Sequence, residues 1–253
     1  MKKVIYYIAA VCLLLATSCE YDNYDAPSVY MSGKLTHNGQ NFLYEGSRGL
    51  LRVYQKGFGK QDGGTSVRVD HNGDYQQLLF PGDYWLTLEN NPYPFEFKDF
   101  KSLGVGLGYD SIYVNLKSNY EKTFEVTPYY NVTELEPTIK GNNIVLRFKV
   151  TKNSEVSGEV PATTFARGYL STSAIVNGGT LCSRSKRAVI TDSGEVEIEM
   201  PIFDGATSYR QVYQNNYRTH AYCRVSIELK DIPNYYLFSD IKKIESVPLE
   251  KTE

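Results

Sequence analysis

Asp70-His71-Asn72-Gly73-Asp74-Tyr75-Gln76-Gln77-Leu78-Leu79-Phe80-Pro81-Gly82-Asp83-Tyr84-Trp85-Leu86-Thr87-Leu88 decides the fold. Asn-Gly is the strongest short hairpin signal, and here it predicts a hairpin between two period-two patterns: Val67-Val69 before it, Tyr75-Gln77-Leu79 after it. Pro81-Gly82 makes a second turn. In the strand that follows, Tyr84, Leu86 and Leu88 take one face, while Asp83, Trp85, Thr87 and Glu89 take the other. Short strands at regular spacing, with turn residues between, describe a β-sandwich protein.

The same alternation extends in both directions. Val29-Met31-Gly33-Leu35, Leu51-Val53 and Ile112-Val114-Leu116 read as strands. Beyond Lys117-Ser118-Asn119 come Phe124-Val126, Ile144-Leu146-Phe148-Val150, Val196-Ile198-Met200 with Glu195, Glu197 and Glu199 outward, and the strand around Cys223. Leu237 and the segment from Ile241 to Leu249 supply the last strand or two, and no segment of helical length shows a 3.6-residue period. The expected fold is all-β: two β-sandwich domains, residues 29–117 and 118–253.

With 27 basic and 29 acidic side chains, the 253-residue chain has no basic field to hold nucleic acid. Aromatics stand out, 22 Tyr and 11 Phe against a single Trp, and both abundant types favour strands. Lys2-Lys3, an apolar run from Val4 to Ala16 and Ala16-Thr17-Ser18-Cys19 read as a secretory signal, too short for a membrane span. The ending resembles a bacterial lipobox, with Ala16 in place of the usual Leu. On that reading residues 1–18 are removed, Cys19 carries lipid, and residues 19–28 form an acidic tether with Glu20, Asp22 and Asp25. Ordinary signal-peptidase cleavage is the alternative. The expected location is the outer membrane, lipid-anchored and facing outside the cell. Cys182 and Cys223 remain, as one disulfide or as two buried thiols.

Asp70-x-x-Gly73-x-Tyr75-x-x-x-Leu79-x-Pro81-Gly82-x-Tyr84-x-Leu86 resembles the signature of transthyretin-like, carboxypeptidase-regulatory domains. Taken with the lipobox, Tyr21 to Pro27 and Tyr236-Leu237-Phe238-Ser239, the chain resembles the DUF3823 lipoproteins of Bacteroidetes, a family of unknown function. The resemblance implies a transthyretin-like domain followed by an immunoglobulin- or fibronectin-like one. It also implies an accessory binding or assembly role in a SusC/SusD-type nutrient uptake system for polysaccharide utilisation. Expected partners are a TonB-dependent barrel, a SusD-like lipoprotein and a glycan. The rivals are a structural or adhesive surface protein, such as a pilus-like spacer, and, more distantly, a hydrolase. Asp110-Ser111-Ile112 resembles the Bacteroidetes O-glycosylation acceptor, with Ser111 as the site.

No catalytic set emerges, so the expectation is a non-enzyme without cofactor or metal. Asp70-x-Asn72-x-Asp74 has calcium-loop spacing, but its Gly and its closing residue are misplaced. Gly104-Val105-Gly106-Leu107-Gly108 opens no helix, and His37, His71 and His220 are scattered. Ser183-x-x-Lys186 lacks its β-lactamase partners. Aromatics remain: Trp85 by parity, and Tyr93, Phe95, Phe97, Phe100 and Tyr109 in the following loop, as a sugar-stacking surface. Packing among themselves or against the second domain is the alternative.

Overall fold

The computed structural model describes residues 25–46, 48–55, 64–89, 92–104, 107–213 and 217–252. The signal segment and Cys19 lie outside the described residues. The first sandwich comprises β1 (Val29–His37), β2 (Gln40–Asn41), β3 (Gly49–Gln55), β4 (Thr65–Arg68), β5 (Asp74–Leu79), β6 (Gly82–Leu88), β7 (Phe95–Phe97), β8 (Ser102–Gly104), β9 (Gly108–Tyr109), β10 (Ile112–Leu116) and β11 (Tyr120–Pro128). One sheet runs β2–β1–β11–β7, with β5 also on β1, and the other runs β10–β6–β3–β4. Met31, Leu35, Tyr75 and Phe124 from the first sheet meet Leu51, Val53, Leu86 and Leu116 from the second in one buried core.

The hairpin expected at Asn72-Gly73 is instead a corner between these sheets. Val69 and Tyr75 bridge, but β4 then pairs with β3, and β5 takes the longer partner β1, from Val29 opposite Leu79 to Lys34 opposite Asp74. Asp70 Oδ1 accepts from the Asn72 and Asp74 amides at 2.8 and 2.9 Å, and Gly73 has a φ of +85°. The carboxylate thus closes the turn. Gly33 breaks the aliphatic series of β1 because a Cβ there would sit 1.8 Å from Lys122 O. The Tyr75 hydroxyl crosses at that point to donate to the same carbonyl at 2.6 Å.

The expected boundary after Lys117 moves to about Tyr129. β11 pairs in parallel with β1, from Met31 opposite Tyr120 to Thr36 opposite Glu125, and belongs to the first sandwich. Alternation alone identified Phe124-Val126 as a strand, but pairing partners carry no local sequence signal.

The second sandwich follows with β12 (Tyr130–Lys140), β13 (Asn143–Lys152), β14 (Thr163–Ser171), β15 (Ser183–Arg184), β16 (Glu195–Pro201), β17 (Ala221–Leu229), β18 (Tyr236–Phe238) and β19 (Lys242–Ile244). Sheet β12–β13–β16 faces sheet β15–β14–β17–β18, with β19 also on β17. This division and strand order are those of an immunoglobulin-like sandwich. Glu195, Glu197 and Glu199 are exposed along β16 while Val196, Ile198 and Met200 are buried. No helix among the described residues is long and apolar enough to cross a membrane.

The two sandwiches share a joint. Tyr93 meets Tyr235 at 4.9 Å between ring centroids, and Asn153 Nδ2 donates to Pro128 O at 3.0 Å. Arg224, fully buried on β17, donates from Nη1 to Tyr44 O at 3.1 Å and Val176 O at 3.3 Å, and from Nε to Ser239 O at 3.0 Å. One guanidinium therefore ties β17 to the first sandwich and to two segments of the second.

Of the two readings of the cysteines, the disulfide is overturned: Cys182 and Cys223 are free and buried. β14 runs between them, with Leu170 paired to Cys223 on one side and to Ser183 on the other. Two strand spacings, about 10 Å, exceed what a disulfide spans. They also occupy different clusters, Cys223 in the main core and Cys182 with Tyr169 and Val176. Burial pushes the Cys223 thiol up to about 12, so it carries no thiolate at neutral pH. Alkylation of the native protein should leave both cysteines unmodified, and alkylation in denaturant without reductant should label both. A disulfide-linked peptide pair in the mass spectrum would refute the assignment.

Candidate functional site

The outer face of β10–β6–β3 presents a row of aromatic rings. Trp85 on β6 lies opposite Tyr54 on β3 and opposite Tyr113 on β10. The parity of β6 puts it there: Tyr84, Leu86 and Leu88 are buried, Asp83 is exposed and Trp85 is half-buried. Trp85 and Tyr113 meet edge to face, centroids 5.6 Å apart and planes at 60°, and Tyr113 is 56% exposed. Two strand spacings separate the outer members of the row, about 10 Å.

Polar groups close both ends of the row. At one end Asp83 Oδ1 accepts from the Tyr113 hydroxyl at 2.7 Å and from Asn115 Nδ2. The Tyr113 bond first, then the Asn115 bond, with the Lys117 charge, hold the Asp83 carboxyl below its ordinary value. It is therefore ionised and fixed in orientation. At the other end Arg52 lies over the Tyr54 ring at 5.3 Å and pairs with Glu89 at 3.8 Å. Thr87 shares the outer face, but its hydroxyl donates to Asp110 O at 2.7 Å, so the chain entering β10 walls the strip there. The result is a shallow aromatic surface with hydrogen-bonding groups beside ring faces, the combination that holds an amphipathic ring such as a sugar.

The loop aromatics expected beside Trp85 are elsewhere. Tyr93, Phe95, Phe97 and Phe100 are buried, and Tyr109 is half-buried against the core. Phe95 contacts Phe42 at 5.0 Å, and Phe100 contacts Phe124 at 5.2 Å. The correction has a physical cause: β7 pairs with β11, which turns Phe95 and Phe97 inward. Tyr54, Tyr113 and Asn115 were missed. Their outward parity was readable beside Leu51-Val53 and Val114-Leu116, but their register with Trp85 was not.

The other candidates resolve as structural. Ser183 is fully buried and donates to Thr207 O, so it is no nucleophile. His37 Nδ1 bonds Val126 O at 3.0 Å, and among the described residues no group of three or more His, Cys, Asp or Glu could hold a metal ion. A groove of about 390 Å³ on β12–β13–β16 is lined by Glu134, Glu136, Arg147, Lys149, Glu195 and Glu197. There Arg147 and Glu197 pair at 2.5 Å, and no aromatic surface is offered beyond the edge of buried Phe148. Ser111 is exposed just before β10.

Comparison with known proteins gives the chain its relatives. No curated protein matches it. Among solved structures, a DUF3823 family protein from Parabacteroides merdae aligns with a TM-score of 0.63 at 23% identity, covering 87% of this chain and 100% of the other. A second DUF3823 family protein, from Bacteroides ovatus, aligns at 0.61 and 21% identity, covering 86% and 99%. A protein from Bacteroides uniformis described as a "putative carbohydrate binding protein" aligns at 0.60 and 13% identity, covering 87% and 100%. The shared fold thus spans both sandwiches. Residues 29–127, from the start of β1 to within one residue of the end of β11, match the model described as "Protein of unknown function (DUF3823) N-terminal domain".

Proposed function

We propose that this protein binds carbohydrate, stacking a short oligosaccharide across Tyr54, Trp85 and Tyr113 and bonding its hydroxyls to Asp83 and Asn115. The observation that carries this reading is the register of β3, β6 and β10, which aligns three aromatics from separate sequence segments beside a fixed carboxylate. The description of the Bacteroides uniformis neighbour as carbohydrate binding agrees with it. The second carboxylate of this face, Glu89, is paired with Arg52 at the far end of the row, so we read the strip as binding its ligand without turnover.

The wider setting is part of the same proposal. Lipid on Cys19 would hold the protein to the outer membrane, facing outward, where it would serve a SusC/SusD-type uptake system as an accessory binding subunit. Cys19→Ala should then release it from the membrane fraction, and native-membrane pull-down should recover a TonB-dependent barrel and a SusD-like lipoprotein. Ser111 is exposed on the approach to β10, where it would be open to the O-glycosylation proposed for the Asp110-Ser111-Ile112 pattern.

The direct test uses the single Trp as reporter. Titrating the purified protein with gluco-, manno- and xylo-oligosaccharides should shift Trp fluorescence saturably for at least one. Trp85→Ala, followed by calorimetry, should weaken that ligand at least tenfold, about 1.4 kcal/mol. Unchanged affinity in Trp85→Ala would move the ligand elsewhere on the molecule.

A further inference from the structure

We propose that Asp83 is the group that sets specificity in the strip, restricting it to uncharged oligosaccharides and rejecting uronate and sulfate sugars. This rests on the carbohydrate reading above and adds the chemical class of the ligand.

The argument starts from which oxygen is occupied. Tyr113 and Asn115 both donate to Oδ1 of Asp83, and among the described residues Oδ2 receives no hydrogen bond. An ionised carboxylate only accepts, so the open oxygen can meet a hydroxyl but has nothing to offer another anion. Two donors on one oxygen also keep the carboxylate from rotating away from an unwelcome ligand. Neighbouring charges leave this acid dominant: Arg52 is paired with Glu89 and lies over Tyr54, at the far end of the row. Lys117, just past the end of β10, acts on Asp83 only as a charge, after the Tyr113 and Asn115 hydrogen bonds.

A neutral sugar ring presents hydroxyl donors along its edge while its apolar face lies on Trp85. A uronate ring stacked the same way brings a carboxylate against Oδ2, which has no proton to donate to it. Specificity of this kind comes from the repulsive contact as much as from the attractive one. The three-strand width of the row, about 10 Å, favours a chain of sugars over a single ring.

Calorimetry of the purified protein with neutral gluco-, manno- and xylo-oligosaccharides and with a length-matched oligogalacturonate tests this. Wild type should bind at least one neutral oligomer and should bind the uronate at least fivefold more weakly. Asp83→Asn keeps the shape and an acceptor for Tyr113 but removes the charge. It should raise uronate affinity about fivefold, the size of a contact repulsion in water, and weaken the neutral ligand. Raising salt on wild type should narrow the same gap without any mutation. Equal binding of uronate and neutral oligomers by wild type, or a ratio unmoved by both Asp83→Asn and salt, overturns the role of Asp83 and leaves Trp85-dependent binding standing. Absence of any Trp85-dependent binding overturns the carbohydrate reading and this inference with it.

Discussion

Arg224→Ala should cost about 3–5 kcal/mol of folding stability, the scale expected when three buried carbonyls lose their donor and a large buried side chain leaves a cavity. The side chain is fully buried and its Cζ lies 4.1 Å from the centre of the Phe238 ring. Burial drives its pKa down to about 9, so it is still a cation at neutral pH. Because the folded value lies below the unfolded one, the buried charge costs stability at neutral pH, and that cost fades only as pH rises past 9. Truncation would remove the cost but orphan three carbonyls, those of Tyr44, Val176 and Ser239, in a dry joint. Each unpaired buried group costs about 1–3 kcal/mol, which outweighs the relief. Arg224→Lys should recover little, since an ammonium cannot reproduce the planar fork. Urea unfolding followed by circular dichroism measures the loss, and a change under about 1 kcal/mol would refute the joint as drawn.

Much of this architecture was legible because strands announce themselves by parity. Tyr84, Leu86 and Leu88 went inward and Trp85 outward as alternation requires, and the glutamates of β16 are solvated. β14 was missed since Thr163-Thr164-Phe165-Ala166-Arg167-Gly168-Tyr169-Leu170-Ser171 does not alternate cleanly; its second half is buried on both faces. What alternation cannot carry is pairing. The parallel partnership of β1 with β11 moved the domain boundary, and the register of β3, β6 and β10 created the aromatic row. Both depend on contacts between segments far apart in sequence. The Tyr236-Leu237-Phe238-Ser239 ending supported the family resemblance, and its chemistry appears only in three dimensions. Phe238 stacks on Arg224, and Ser239 accepts from Arg224 Nε through its carbonyl and from the Val225 amide through its hydroxyl.

Phe95→Ala should cost a further 3–5 kcal/mol or so, whereas Trp85→Ala should cost only about 1 kcal/mol, and the contrast separates core from contact surface. Phe95 is 2% exposed and sits among Phe42, Tyr93, Phe97 and Tyr44, with centroids 5.0, 5.6, 5.4 and 6.5 Å away. Its removal leaves a cavity bounded by other rings that are themselves fixed. Tyr93 donates to Glu89 O at 2.8 Å and packs on Tyr235 across the joint, so the site cannot collapse cheaply. Each lost aromatic pair adds roughly 0.5–1.5 kcal/mol to the burial already forfeited. Trp85, by contrast, keeps one side in water and loses mainly its edge contact with Tyr113. Unfolding and ligand titration on both variants should therefore give opposite patterns. Phe95→Ala should melt early yet bind the neutral oligosaccharide with unchanged affinity while folded, and Trp85→Ala should melt almost as wild type and lose the ligand. A Phe95→Ala protein as stable as wild type but unable to bind would return the 93–109 segment to the contact surface and displace the strip on β6.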